Sequence, residues 1–333
     1  MRRAPGAGLL LACCALALAC SSGGGGNGGD STEITSANAQ QLTAEVVQGL
    51  FWSSELGSVG GSIGDGNVSL ASRSSGEAIA EATAEGVARQ VAGSSISAQG
   101  AFGPVTEPCQ DGGTVTLSGS VANPGPSGPA AAGDQLQASF DQCGFETGEL
   151  LDGLFAYTIQ GLAGDLATDS FAFQLALGLT EFEIDQNGTS LIYGGTPTLV
   201  VDTRDPPFSK STVSGGSLEI QQGTLQLILL GFTTTAADDV LNGSSGVSSL
   251  SGIGSLSSSD FTGTLSYTTV ETLESTGDAF PSKGELLITG ANNATIRLTV
   301  ENDSELVLAL DLDGDGTVDE TQDTTWDELL GLS

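Results

Sequence analysis

Phe171-Ala172-Phe173-Gln174-Leu175-Ala176-Leu177-Gly178-Leu179-Thr180 places a large apolar residue at every odd position and a small or polar one between. Successive side chains of an extended strand point to opposite faces, so this run predicts a β-strand with one packed and one wet face. The same period of two appears from about residue 112 onward. Val115, Leu117 and Val121 alternate with Thr116, Ser118 and Ser120, and Leu136, Ala138 and Phe140 form a second set. Phe155, Tyr157 and Ile159 form a third. Further strands are expected near 181–185, 190–202, 216–232, 261–274, 284–290, 294–300 and 305–312. Asn187-Gly188 and Asn292-Asn293 supply hairpin-type turns. No long helical pattern separates these runs, which implies antiparallel pairing. The expected fold is mainly β: a large antiparallel sheet, or a curved open barrel or sandwich, with N-terminal helices.

The helices are expected over 36–100. Thr35 or Ser36 caps the first, with Leu42, Val46 and Leu50 at four-residue steps and Ala39, Val47, Phe51 and Trp52 beside them. Residues 57–72, rich in Gly and Ser, read as a loop. A second helix is expected over 75–92, where Glu77, Glu81, Glu85 and Arg89 share one solvated face. Two further stretches read as irregular: 123–133, with three prolines and three glycines, and 242–260, dominated by Ser and Gly, as a long flexible insertion.

Charge excludes several functions. The 333 residues carry 8 Lys+Arg against 41 Asp+Glu, a formal net charge of −33, and no histidine. Such a chain is repelled by nucleic-acid phosphates and by anionic headgroups. Without imidazole there is no Ser-His-Asp or Cys-His catalysis, and most zinc and haem sites are excluded. Gly60-Gly61-Ser62-Ile63-Gly64 matches G-x-S-x-G, but that motif needs a histidine and a strand before it. No pair of carboxylates is singled out for glycoside chemistry, and the chain reads as a non-enzyme.

The N-terminus carries an export signal. Arg2 and Arg3 precede an apolar run, Leu9 to Leu18, that is too short to span a bilayer, which needs about 20 residues. It ends in Leu16-Ala17-Leu18-Ala19-Cys20, followed by Ser21-Ser22-Gly23-Gly24-Gly25-Gly26-Asn27-Gly28-Gly29. This resembles the lipobox of bacterial lipoproteins. The resemblance implies that Cys20 is acylated and becomes the first mature residue. Ser21, rather than Asp, implies the outer membrane of a Gram-negative cell, periplasmic or surface-exposed. The membrane is then reached through the lipid anchor, and the Gly-rich stretch is a tether. Loss of Arg2 and Arg3 leaves 6 basic against 41 acidic residues, 6 − 41 = −35. The expected organisation is 1–19 signal peptide, 20–35 lipidated Cys20 and tether, 36–100 helical, 101–310 antiparallel β, and 311–333 loop and terminal helix.

Export also frames the remaining cysteines. Cys13 and Cys14 leave with the signal, so Cys109 and Cys143 form an even pair in an oxidising compartment. A disulfide there contributes about 3–4 kcal/mol by loop entropy.

The sharpest constellation follows the strand Leu306, Leu308, Leu310, Leu312: Asp311-Leu312-Asp313-Gly314-Asp315-Gly316-Thr317-Val318-Asp319. Carboxylates at positions 1, 3 and 5 converge on a hard cation as the chain curls, and glycine at position 6 permits the turn. Thr317 would offer its carbonyl and Asp319 a further oxygen. The loop resembles those of EF-hands and dockerins, and is similar to those of thrombospondin type 3 repeats. The resemblance implies a structural Ca²⁺ held by Asp311, Asp313, Asp315, Thr317 and Asp319. Position 12 departs from the EF-hand pattern, being Gln322 rather than Glu, and no entering helix precedes the loop. Thr325 to Glu328 has capping-box spacing before a short final helix carrying Trp326, Leu329 and Leu330. The functional expectation is an envelope lipoprotein that binds a protein, glycan or lipid partner or serves a structural role. The alternative is an amphiphile carrier with a concave apolar sheet.

Overall fold

The structure, a computed structural model, describes residues 31–64, 100–121, 131–144, 149–165, 170–186, 188–205, 208–239, 246–276 and 280–331. The helix expected over 75–92 and most of the 123–133 loop lie outside them. Among the described residues, fifteen strands form one antiparallel sheet in which nearly every strand pairs with its neighbours in sequence. The first eight are β1 (Ala101–Pro108), β2 (Thr114–Ser120), β3 (Gln135–Gly144), β4 (Glu149–Asp165), β5 (Ser170–Gln186), β6 (Thr189–Gly195), β7 (Thr198–Asp205) and β8 (Phe208–Gln222). The rest are β9 (Leu225–Asp239), β10 (Val247–Ser258), β11 (Leu265–Thr276), β12 (Lys283–Thr289), β13 (Thr295–Val300), β14 (Glu305–Asp311) and β15 (Glu320–Thr325). The expected mainly-β, antiparallel class is the observed one.

The run 171–180 lies in β5, and Phe171, Phe173, Leu175, Leu177 and Leu179 are all buried as their alternation requires. The next buried residues are Phe182 and Ile184, on even positions. Glu181 has positive φ (45°), and the register with β6 slips between Leu179 and Phe182. This bulge inserts a residue and changes which parity faces inward. The 181–185 strand is therefore the bent continuation of β5. The first half of β5 pairs with β7 and the second with β6. β6 and β7 together fill one place between β5 and β8, interrupted near Pro197, so the single strand expected over 190–202 is two.

An open sheet of this width must curl, since each strand is rotated by about 20–25° from the last. It curls around a helix, α1 (Ala39–Gly64), which touches β7, β8, β9 and β10 on one side and β13 and β14 on the other. Leu42, Val46, Val47, Leu50, Trp52 and Leu56 of α1 are buried to within 1%. Glycine makes the close approach possible: a Cβ on Gly252 of β10 would lie 2.2 Å from Leu50 Cδ2. Ser53 and Thr234 hydroxyls meet at 2.9 Å in the buried contact, and Tyr193 donates its hydroxyl to the Trp52 carbonyl at 3.2 Å.

Several expectations are corrected. The residue preceding α1 is Asn38, not Thr35 or Ser36, and Ser36 instead donates its hydroxyl to Glu320. Residues 57–64 continue the helix rather than opening a loop. Leu56 is fully buried there, and Gly57 packs where a Cβ would lie 2.3 Å from Ser211 Oγ. Packing at Leu56 and Gly57 carries the helix past a glycine of poor propensity. The insertion expected over 242–260 is largely β10, zipped between β9 and β11 with Leu250 and Leu256 buried. The edge strands β1 and β15 had not been expected. β1 carries Pro104 and Pro108, and β15 is polar (Glu-Thr-Gln-Asp-Thr-Thr), both features of edges that resist further pairing.

Three local expectations hold. Asn292 and Asn293 both adopt positive φ in the β12–β13 turn. Cys109 and Cys143 form a disulfide, with Cα atoms 5.4 Å apart, joining the end of β1 to β3. Thr325 caps a final helix, α2 (Trp326–Leu329), accepting from Glu328 N at 3.1 Å. Trp326 is buried, donates to Pro281 O at 3.0 Å and stacks on Phe280.

Candidate functional site

The loop after β14 brings Asp311, Asp313 and Asp315 together. One oxygen from each lies within 4.8 Å of the others. Calcium–oxygen bonds run about 2.3–2.6 Å, so two oxygens on one ion are at most about 5 Å apart. The spacing therefore fits a shared cation. β14 delivers Asp311 with its backbone paired to Thr295 and its side chain buried, while Asp313 and Asp315 are exposed. Asp311 accepts from Gly314 N at 2.8 Å and from Gly316 N at 2.9 Å, so both its oxygens are oriented by the curl of the loop. Gly316 has φ 87°, a conformation a side chain would oppose.

The other two expected ligands are placed differently. Thr317 donates its N–H (2.8 Å) and its hydroxyl (2.5 Å) to Asp315 Oδ1. These bonds, led by the hydroxyl, hold the Asp315 carboxyl below its ordinary range. Asp319 turns back to accept from Leu312 N at 2.7 Å and stands outside the three-carboxylate group. Cys20 lies outside the described residues. Ser62 lies in the last turn of α1, so G-x-S-x-G here has neither the strand before it nor the sharp turn of a nucleophile elbow.

A second feature was not legible as a site. A cleft of about 290 Å³ opens between the second half of α1 and the inner face of β7–β11. The register aligns its floor as one row, Val201–Ser211–Ala236–Leu250–Leu273. The row nearer the rim is polar: Ser209–Asp238–Ser248–Ser275. Phe51, Glu55 and Phe280 complete the walls. No lysine or histidine lines it; its titratable groups are the carboxylates Glu55 and Asp238, and Asp238 stands opposite Ser209 and Ser248 in the register. The available signal was serine at inward-facing strand positions, which looked like loop composition.

Glu45 is the most deeply buried acid among the described residues. Glu45 of α1 is 4% exposed, and its Oε2 has no hydrogen-bond partner among the described residues. Burial pushes its carboxyl above the ordinary glutamate range. Ser258 and Gln41 offset part of that rise, and the charge of Asp260 adds to it. A group that binds its proton more tightly when folded favours folding at low pH. That contribution is lost as pH rises from the ordinary glutamate value through the raised one. Glu45→Met is therefore expected to raise unfolding free energy at pH 7 by about 1–3 kcal/mol and to gain less below pH ~4. Urea titrations at the two pH values check this; equal gains at both would contradict it.

The chain matches no protein-family model, no curated protein and no solved structure. Among the described residues, no helix is long and apolar enough to cross a membrane.

Proposed function

We propose that this chain is a non-enzymatic envelope lipoprotein, anchored to the outer membrane through Cys20 and stiffened by a Ca²⁺ in the 311–319 loop. It acts by presenting its sheet to a partner. The observation that carries the reading is the filling of the curved sheet by α1. Leu42, Leu50, Trp52 and Leu56 occupy the concavity that a carrier would keep for its cargo. The serine- and acid-rimmed cleft beside α1 is small, near the lower end of the range of about 300–1,000 Å³ for ligand pockets. That supports a structural or binding role over an acyl-chain carrier. The absence of histidine from the sequence supports a non-enzyme.

When bound, calcium would neutralise the converging carboxylates. Asp311, Asp313 and Asp315 would hold it, with Gly314 and Gly316 amides keeping Asp311 aimed. For a site of about 10⁻⁴ M in roughly 10 mM calcium, the folded state gains about 2.7 kcal/mol. Any divalent cation screens so acidic a protein, so magnesium at equal ionic strength is the control; it keeps its waters and stabilises less. Thermal melts are expected to give a calcium-specific increment that Asp313→Asn with Asp315→Asn abolishes. Native mass spectrometry of the same detergent-extracted protein is expected to find no bound lipid apart from the anchor. Equal shifts from both metals would remove the calcium site, and stoichiometric lipid would turn the reading to a carrier.

A further inference from the structure

The segment entering the fold is pinned to one end of the β9–β15 half of the sheet. Thr32 donates its N–H to Thr264 O at 3.0 Å and its hydroxyl to Thr262 O at 2.9 Å, in the β10–β11 connection. Ala291 N, in the β12–β13 turn, donates to Thr32 O at 2.7 Å. The 311–319 loop leans on the same turn, since a Cβ on Gly314 would lie 2.3 Å from Asn292 O. Gln322 donates to Ser36 O at 2.9 Å beside it. From this end α1 runs 26 residues, about 39 Å, toward the opposite end. The cleft rim lies there, at the far termini of β9, β10 and β11.

We propose that the end formed by residues 31–36, 259–264, 290–294 and 311–320 faces the lipid bilayer and that the cleft faces away from it. The inference rests on the lipoprotein reading of Cys20. Ser31 is eleven positions beyond Cys20, and a chain of eleven steps spans at most about 36–40 Å. Bringing the cleft end down to the bilayer would lift Ser31 about 39 Å from it, with every link at its geometric limit. Tethering thus selects the entry end as the proximal one. Its charge sets how closely it approaches. The four segments hold Glu33, Asp260, Asp311, Asp313, Asp315, Asp319 and Glu320 and no Lys or Arg. With the loop free of cation, anionic headgroups repel this cap over about a Debye length, so it approaches a zwitterionic surface more closely than an anionic one.

The test uses the full-length acylated protein in phosphatidylcholine liposomes carrying an acceptor dye on a fraction of headgroups. Cys109 and Cys143 are bonded, so a single new cysteine can be labelled. Val318→Cys marks the proximal loop and Val247→Cys the start of β10 beside the cleft; both valines are exposed, at 60% and 39%. Energy transfer to the headgroups is expected to be several-fold stronger from position 318. Equal transfer means that the body lies flat, and stronger transfer from 247 means that it is inverted; either overturns the proposal. Flotation of the unlabelled protein and the mass of its N-terminal peptide are read separately. An unmodified Cys20 sinks the anchor reading itself, whereas an acylated one with the wrong label order sinks only the orientation. Melting temperatures equal to the parent's establish that both variants fold.

Discussion

Cys20→Ser is expected to move the protein almost completely from the membrane pellet to soluble or unprocessed forms. A single acyl chain gives marginal, reversible binding, whereas the several chains proposed on Cys20 would anchor stably. Cleavage before Cys20 would leave a charge of −35, so electrostatics would oppose contact with an anionic leaflet. The described residues contain no helix able to span a membrane. On the lipoprotein reading, removing the acceptor of the acyl chains removes the proposed attachment. Fractionation and immunoblotting read the outcome. A Cys20→Ser protein that is cleaved yet still pellets with membranes would replace the lipoprotein reading with peripheral binding through a partner.

Trp52→Ala is expected to lower the unfolding free energy by about 3–5 kcal/mol, the range for deleting a buried aromatic side chain. Trp52 is 1% exposed, and its carbonyl receives the Tyr193 hydroxyl from β6. The cavity would open between α1 and the sheet, where Gly252 and Gly57 already bring the backbones too close for relaxation to fill it. A stability of about 5–15 kcal/mol is usual, so this loss is a large share of the whole. Denaturant titration should show a lower midpoint with an unchanged slope. Val318→Ala, on the exposed loop, serves as the control and should stay within about 0.5 kcal/mol of the parent. A Trp52→Ala loss below about 1 kcal/mol would mean that α1 is not the element around which the sheet closes.

The parts of the fold that were legible are those where local pattern and tertiary packing agree. The odd-position face of β5, the Leu42-Val46-Leu50 face of α1, the Asn292-Asn293 turn and the Thr325 cap all express a short-range rule. The Asp311, Asp313 and Asp315 cluster was legible because its carboxylates lie within five residues. The Leu312 amide that holds Asp319 Oδ2 was not legible, because spacing says nothing about which backbone donor a side chain meets. Where long-range contacts override local composition, reading failed. β10 looks like a Ser/Gly linker because its outward positions are wet and Gly252 must make room for Leu50. The end of α1 looks like a loop because Gly57 must clear Ser211. The cleft joins residues of six elements whose proximity only the β8–β11 register creates.

The enclosure of α1 also sets an order of assembly. Hairpins such as β4–β5 and β8–β9 join segments adjacent in the chain, so each can zip as it is delivered. The helix has no such neighbours. Ser53 of α1 meets Thr234 across 181 positions, and in the segment leading into the helix Thr32 meets Thr262 across 230 and Ser36 meets Glu320 across 284. A chain delivered N-terminus first therefore presents its most apolar helix at the outset and its last enclosing strands at the close. Until β14 arrives, Leu42, Val46, Leu50 and Trp52 lack part of their cover. The contacts that hold the mature body together are those with the highest loop-closure entropy, and folding is correspondingly slow and exposed to sticky intermediates. The architecture that buries this helix in the finished molecule leaves it the longest-exposed apolar surface during synthesis.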